Sequence, residues 1–403
     1  MRYMEKLLEG VKVEWEPISK ILIRTKGTKI TAEQMKKMHN IQAPLKIFAG
    51  GKTVAFVNFE DIPEKDINRE PSIIVKSRGI IEFEYYDKPF SHKNEMWSYH
   101  SKNEYLDIKF IYYFLKINEP YFQNIGNRMQ MPQISTPDTE KFKIPIPCPD
   151  NPKKSLKIQQ EIVRILDTFT RLIAELTAEL TARKKQYAYY REQLLTFKEG
   201  EVKWKRLGEI FDLKNGYTPS KSNQGYWKDG TIPWFKMEDI RKNGRVLNKS
   251  MQYVNSCAVK DGKLFSANSI IVSTSATIGE HALITVPFLS NQRFTNLSLK
   301  SEYTNKFLIK FLFYYGFVLD EWCKNNTTVG NFAGVDMNGF KKFLIPVPPL
   351  RVQQEIVRIL DKFDTLTTSI SEGLPREIEL RKKQYAYYRE QLLTFRGKKE
   401  MNK

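Results

Sequence analysis

Arg183–Phe197 reads RKKQYAYYREQLLTF, and Arg381–Phe395 reads the same fifteen residues in the same order. A stretch this long, aromatic and charged is neither low complexity nor coincidence, so the chain is built from two copies of one unit. The copying extends outward. Gln159–Asp167 (QQEIVRILD) returns as Gln353–Asp361, and a proline-punctuated apolar strand precedes each copy, Ile144-Pro145-Ile146-Pro147 and Ile345-Pro346-Val347-Pro348. Gly200-Glu201-Val202-Lys203-Trp204 follows the first copy, and the chain opens on a related Gly10-Val11-Lys12-Val13-Glu14-Trp15. Further in, Ile73-Ile74-Val75 answers to Ile270-Ile271-Val272, and Pro89-Phe90 to Pro287-Phe288. The period is close to half the chain, which is a tandem duplication and not a short-period solenoid.

The repeated stretches are helical. Ile158, Ile162, Ile165, Phe169, Leu172, Leu176 and Leu180 recur at three- and four-residue steps, and the seam continues through Tyr187, Tyr190 and Leu194. That is the apolar stripe of a long helix packed on another helix; from Leu156 to Phe197 it would reach roughly 60 Å. The second copy offers the partner stripe, Val352, Ile356, Ile359, Phe363, Leu366, Ile370, then Tyr385, Tyr388 and Leu392. Gly373-Leu374-Pro375 is expected to kink or break it, because proline lacks a backbone donor and clashes with the preceding turn. From Asp167 to Arg183 is 16 residues and from Asp361 to Arg381 is 20, and the first copy carries a four-residue echo, Ile173-Ala174-Glu175-Leu176 then Thr177-Ala178-Glu179-Leu180. Four residues are about one helical turn, ~6 Å, so helix length looks adjustable.

The remaining sequence forms two blocks of mixed character. Short β-branched runs (Ser72–Val75, Ser269–Val272) alternate with apolar helical patterns in equivalent places, Tyr105–Lys116 and Tyr303–Tyr315. The fold class is therefore α+β with an internal pseudo-two-fold repeat. The expected segments are 1–143, a globular block; 144–200, a helical region; 201–344, a second globular block; and 345–403, a second helical region.

With 65 Lys and Arg against 46 Asp and Glu, the net charge is +19, which points to a polyanionic partner, most simply nucleic acid. Cys148, Cys257 and Cys323 are scattered with no C-x-x-C spacing, which argues against a disulfide framework or a zinc site. The N-terminus lacks the apolar core of a signal peptide, and no run approaches the ~20 apolar residues of a membrane span. A soluble cytoplasmic protein is expected.

Catalytic machinery is not evident. The chain has no G-x-x-x-x-G-K-[ST] loop, no glycine fingerprint after a strand, and no Asn-Pro-Pro-Tyr or Asp-Pro-Pro-Tyr tetrapeptide of the kind that holds a flipped base. His39, His92, His100 and His281 stand isolated in sequence and read as surface or loop residues. Binding chemistry is better represented. Ser273, Thr274 and Ser275 follow a strand, and Asn291, Gln292 and Arg293 come shortly after. Asn and Gln match adenine edges and Arg matches guanine, while hydroxyls in a small-residue loop suit phosphates. The equivalent stretches of the first block carry Lys76 and Arg78, then Lys93 and Asn94; Lys26, Lys29, Arg128 and Gln130 add further donors. The turn-rich loop with Tyr217, Thr218, Ser220 and Lys221 completes the candidate DNA-binding set. Different polar residues on one frame are what two readers of two different sequences would show.

The order of motifs resembles the specificity subunits of type I restriction–modification enzymes. The second block opens Leu207-Gly208-Glu209-Ile210, then Gly216-Tyr217-Thr218-Pro219-Ser220, then Ile232-Pro233-Trp234, and Ile-Pro-Val-Pro precedes Gln-Gln-Glu-Ile-Val. The helical regions, with their Thr-Ala-Glu-Leu echo, are most similar to the type IC subgroup. The first block has Lys26-Gly27-Thr28-Lys29 where the second has the Gly-x-Thr-Pro-Ser element. The resemblance covers essentially the whole chain. It implies that residues 1–143 and 201–344 are target recognition domains, each reading half of a bipartite double-stranded DNA site. It further implies that the helical regions form an antiparallel coiled coil that spaces these domains and docks two modification subunits. Those subunits would bind S-adenosylmethionine and methylate adenine, restriction subunits would join to translocate and cut DNA, and this chain would itself hold no cofactor and no catalytic residue. A stand-alone repressor-like DNA binder and a DNA-modifying enzyme with an unrecognised active site remain the alternatives.

Overall fold

The structure is a computed structural model and describes residues 7–127, 131–328, 333–369 and 371–395. The candidate residues Arg128 and Gln130, and Ile370 of the second stripe, lie outside the described residues. Two compact units are present, Met1–Ile173 with Arg381–Lys403, and Ala174–Leu380. Neither follows the segment boundaries expected from sequence, because each unit takes part of both helical regions.

Each globular block is closed by the motifs that flank it. Val13–Pro17 pairs antiparallel with Lys143–Pro147, setting Trp15 opposite Pro145. Lys203–Arg206 pairs with Leu344–Val347, setting Trp204 opposite Pro346. A two-stranded ribbon leaves one side of each strand unpaired, so the prolines lose no ladder bond there. The Gly-Val-Lys and Ile-Pro repeats are thus the two halves of a clasp around each block.

Inside the first unit the main sheet runs Ile23–Thr25, Trp97–His100, Ser72–Lys76, Glu82–Tyr86. A smaller sheet runs Val54–Val57, Leu45–Phe48, Phe90–His92, its middle strand antiparallel to the first and parallel to the last. The second unit repeats both orders. Its main sheet runs Phe211–Asn215, Phe294–Leu299, Ser269–Ser273, His281–Ile284, with Val246–Leu247 added at the edge; its smaller sheet runs Tyr253–Val254, Ile232–Phe235, Leu289–Ser290. The added strand pairs parallel with His281–Ile284.

The β-branched runs explain the layering. Successive side chains of a strand point to opposite faces. Ile73 and Val75 lie in one core with Phe110 and Phe114 of the helix Ile108–Ile117, while Ile74 faces Phe48 and Phe90 of the smaller sheet. In the second unit Ile270 and Val272 share a core with Phe311 of the helix Ile309–Asn325, and Ile271 packs with Phe235 and Phe288. Each block is therefore a helix, a sheet and a second sheet in layers, with the repeated run buried on both faces.

The first helical region is one continuous helix, Pro152–Leu195, of 44 residues. Asn151 caps it, its side chain accepting from the Lys154 N–H at 3.0 Å, with Pro152 at the first position, where no donor is missed. The second region is broken into Leu350–Thr368 and Gly373–Leu393. The break falls ahead of Pro375, which sits in the first turn of the later helix and opens it instead of kinking it. Gly373, at φ 73°, passes so close to the Thr365 and Leu366 carbonyls that a Cβ would overlap them. The four extra residues of the second copy thus accompany a break between Thr368 and Gly373 that the first copy lacks.

The pairing of helices within each unit is antiparallel by segment. In the first unit the opening turns of the long helix meet the last helix, Phe169 packing on Tyr388 at 5.3 Å between ring centroids. In the second, the closing turns of the long helix meet Leu350–Thr368, with Tyr187 and Tyr190 stacking on Phe363 at 5.9 and 5.5 Å. The stripes do not serve a coiled coil alone. Ile158, Ile162, Ile165 and Leu166 are part of the first block's core. The terminal phenylalanines of the fifteen-residue repeats also enter the blocks, Phe395 beside Phe110 at 6.3 Å and Phe197 beside Phe311 at 6.4 Å. The first copy of the repeat thus covers the second block, and the second copy covers the first. Among the described residues no helix is long and apolar enough to cross a membrane.

Candidate nucleic-acid interface

Three loops meet at one end of the main sheet in each block. The first crosses the second at a glycine. In the first unit the Thr28 N–H donates to the His92 carbonyl at 2.8 Å, and a Cβ on Gly27 would overlap the His92 and Lys93 carbonyl oxygens. In the second unit the Tyr217 N–H donates to the Ser290 carbonyl at 2.8 Å, and a Cβ on Gly216 would overlap the Ser290 and Asn291 oxygens. Only glycine permits that approach. Lys26-Gly27-Thr28-Lys29 therefore occupies the place of the Gly-Tyr-Thr-Pro-Ser element. The third loop joins the second, through the Thr274 N–H to the Arg293 carbonyl at 3.0 Å in the second unit and through the Ser77 hydroxyl to the Glu95 carbonyl at 2.8 Å in the first.

The crossing brings together most of the sequence-selected residues. Lys26 and Lys29 are exposed beside Asn94, whose amide nitrogen, turned toward the loop, donates to the Gly27 carbonyl at 2.6 Å. Lys93 is half-buried and ion-paired with Glu95 at 2.8 Å. Arg78 is exposed at the sheet turn and donates to the Gln133 side chain at 3.0 Å. In the second unit Ser220, Lys221, Gln292 and Arg293 are exposed, and Thr218 donates to Gln292. Asn291 is half-buried, its side chain accepting from the Arg293 N–H at 3.1 Å and so shaping the loop that presents Arg293. Ser275 is half-buried and bridges to Gly334.

Four candidates do other work. Lys76 is buried at the end of its strand and paired with Glu82 at 2.6 Å and Glu84 at 2.8 Å, so its charge is answered inside the protein. Burial alone would push the Glu84 carboxyl up, but its bonds to Lys76 and Lys46 outweigh that and hold it below the usual carboxylate range. Ser273 and Thr274 are also buried, the first bonded to the Ser275 carbonyl at 3.3 Å and the second to Thr295 at 2.9 Å. Tyr217 is half-buried among Trp227 and Trp234, and its hydroxyl is taken by the Ala258 carbonyl at 3.2 Å and the Lys260 N–H at 3.0 Å. It anchors the loop that carries Ser220 and Lys221.

Supporting residues escaped the sequence reading. His92 is fully buried, not on a loop surface, and its imidazole meets the Ser98 hydroxyl at 3.3 Å. Burial holds its pKa below the usual histidine value, which keeps it neutral. The second unit makes the same tie with other residues, Ser290 to Asn296 at 2.8 Å. Each tie links the end of the smaller sheet, just before the crossing loop, to a central strand. His281 is buried as well, against Asp320 at 2.6 Å. No motif marks these positions, because the partners lie on different strands or helices.

Beyond the apolar packing, polar bonds fix the block bearing each set of loops to its helix at two points. The buried Gln159 side chain accepts from the Asp107 N–H at 2.9 Å and donates to the Tyr105 carbonyl at 3.2 Å. Gln353 accepts from the Leu308 N–H at 2.8 Å and donates to the Lys306 carbonyl at 2.8 Å. Eight residues on, Asp167 accepts from Tyr113 at 2.5 Å and Lys109 at 2.7 Å, and Asp361 from Tyr314 at 2.6 Å and Lys310 at 2.6 Å. The first and last residues of QQEIVRILD are therefore the fasteners of the recognition blocks.

A family model described as the type I restriction modification DNA specificity domain matches the chain twice, over residues 18–183 and 199–380. The chain belongs to this family. Its two matched spans are the two copies of the duplication. Over 408 residues it is 42% identical to the specificity subunit of the type I restriction enzyme EcoR124I/EcoR124II of Escherichia coli, covering 98% of this chain and 97% of that one. Over 203 residues, 49% of this chain and 51% of the relative, it is 61% identical to the EcoprrI specificity subunit of Escherichia coli. The crystal structure of a type I restriction-modification S subunit from M. genitalium shares the fold, with a TM-score of 0.61 at 16% identity over 96% of this chain and 97% of that chain. As a type I specificity protein, the chain carries two different sets of polar loops on a duplicated frame.

Proposed function

We propose that this specificity protein reads a bipartite double-stranded DNA site, one half through the loops of each block, and that its helices space the blocks and dock two methyltransferase subunits. The observation that carries the reading is the glycine-pinned loop crossing, built twice on one frame and furnished with different exposed groups. Lys26, Lys29, Arg78, Lys93 and Asn94 would face one half-site; Thr218, Ser220, Lys221, Ser275, Asn291, Gln292 and Arg293 would face the other. Lysines supply phosphate contacts, while Asn, Gln and Arg supply base-edge readout.

Docking of two copies of one partner is supported by the repeat itself. Tyr189 and Tyr387 occupy equivalent positions of the identical segments and are 59% and 50% exposed. Lys184, Lys185, Lys382 and Lys383 are exposed beside them. Two identical surfaces suit two identical subunits. Catalysis then belongs to those partners, which bind S-adenosylmethionine and modify adenine, and to restriction subunits that join them; this chain acts in the cytoplasm as the non-catalytic reader. The test is to co-express the chain with its methyltransferase partner and map methyladenine in the DNA. A two-part consensus with a fixed gap is the expected result, together with binding that weakens with log salt at roughly 0.9 per phosphate contacted. Methylation without a consensus, or salt-insensitive binding, would overturn it.

A further inference from the structure

We propose that the Tyr–Asp–Lys contacts at Asp167 and Asp361 are positioning residues that set how strictly the gap between half-sites is enforced, an inference that rests on the bipartite reading above. The argument starts from the two-point attachment. Gln159 and Asp167, like Gln353 and Asp361, are eight residues apart on one helix, about 12 Å along its axis. Both points grip the same neighbouring helix of the block: the glutamine holds the backbone at its start, and the aspartate holds the lysine at its second position and the tyrosine four residues beyond that lysine. Around these points the helix also packs into the block's core through Ile158, Ile162, Ile165 and Leu166, or Ile356 and Leu360. Apolar packing is non-directional, so the two polar attachments are what fix the angle between helix and block.

The second attachment differs in chemistry from the first. Gln159 and Gln353 are fully buried and bonded to backbone. The Asp167 and Asp361 carboxylates are a third exposed and bonded only to side chains, Lys109 and Tyr113 or Lys310 and Tyr314. The tyrosines are buried, 3% and 1% exposed, so their rings stay packed when the hydroxyl bond is lost. The aspartate joint is therefore the one that can open without unfolding the block.

A DNA site whose gap is one base pair too long presents its second half displaced by ~3.4 Å and rotated by roughly 35°. A block that turns on its helix to follow that displacement breaks the aspartate joint. The strength of this joint thus caps the penalty for a wrong gap, while the loops at the far end of the sheet still read the same bases. The same joint appears in both units with the same residue types in the same spacing, although the blocks between have diverged.

The test compares the parent with Tyr314→Phe and with Tyr314→Phe/Lys310→Met, each co-expressed with the methyltransferase partner, followed by methyladenine mapping. The parent map decides the underlying reading: without a fixed-gap consensus, both it and this inference fall. With that consensus in hand, the double variant is expected to methylate sites one base pair longer or shorter. Its preference for the parental gap should fall by about tenfold, the size expected for losing hydrogen bonds to a charged group, with half-site sequences unchanged. Tyr314→Phe alone moves in the same direction by less and covers the case in which the double variant fails to fold. Ile271→Val thins the core between the two sheets and serves as the control: it lowers stability and leaves the gap preference alone. A variant that methylates with the parental gap preference intact overturns the inference, as does a shift of gap in Ile271→Val or a change in half-site bases.

Discussion

Replacing Gln353 by alanine tests the claim that the repeated QQEIVRILD motif is a fastener. Gln353 is 0% exposed; its side chain accepts from the Leu308 N–H at 2.8 Å and donates to the Lys306 and Pro348 carbonyls at 2.8 and 2.9 Å. Truncation leaves one backbone donor without its partner and removes one bond from each of two carbonyls. An unsatisfied buried donor costs about 1–3 kcal/mol. The carbonyls cost less, since each keeps a second lone pair and the emptied space is polar enough to admit water. The expected loss is therefore ~3 kcal/mol for the second unit. Gln354, the next residue, is exposed, so Gln354→Ala should fall within ~0.5 kcal/mol of the parent. Urea unfolding followed by circular dichroism, with hydrogen exchange at Leu308 as a local probe, separates the two. Gln159→Ala should weaken the first unit in the same way, leaving the transition of the second in place. Equal effects of Gln353→Ala and Gln354→Ala would refute the reasoning.

Other outcomes follow from the same geometry. Arg293→Ala should cost roughly 1–3 kcal/mol of discrimination between target and scrambled DNA if Arg293 reads a base, whereas Lys362→Ala on the helix should not; binding isotherms on both DNAs decide it, and equal selectivity of the Arg293 variant and the parent removes the assignment. One more Thr-Ala-Glu-Leu after Leu180 lengthens the long helix by ~6 Å; at ~3.4 Å per base pair the methylated gap should grow by one or two base pairs with the same half-sites. An active insertion variant with the parental gap would rule out this helix as the ruler. The depressed Glu84 carboxyl gives stability that is fully present above its unfolded value of 4.5 and is lost as pH falls through the lower folded value. Thermal melts between neutral pH and about pH 3 should therefore show a shallower acid loss for Glu84→Gln than for the parent; parallel curves would exclude the pair as a source of the pH dependence.

The sequence by itself determined whatever is written in local periodicity and in repetition. The duplication, the Ile73–Val75 and Ile270–Val272 strands, the long apolar stripes and the break near Gly373 were all legible, because a period of 2 or of 3–4 residues reports the faces of a single element. So was the equivalence of Lys26-Gly27-Thr28-Lys29 with the Gly-Tyr-Thr-Pro-Ser loop, which the two glycine crossings bear out. Partnerships between distant segments were decided only by the tertiary structure. An apolar stripe requires cover but does not say whose, so nothing local revealed that Phe197 covers the second block and Phe395 the first. Lys76 looked like a DNA-binding residue until its neighbouring strand placed Glu82 and Glu84 against it, and so did Ser273 and Thr274 until strand pairing buried them. The four extra residues of the second copy were legible only as a difference in length, since a length difference carries no backbone angles. The fastening residues Gln159, Asp167, Gln353 and Asp361 were visible as a repeat. What they hold became known only when the chain brought Tyr113 and Tyr314 within hydrogen-bond reach, because a side chain's partner across 50 residues depends on topology and not on its neighbours in sequence.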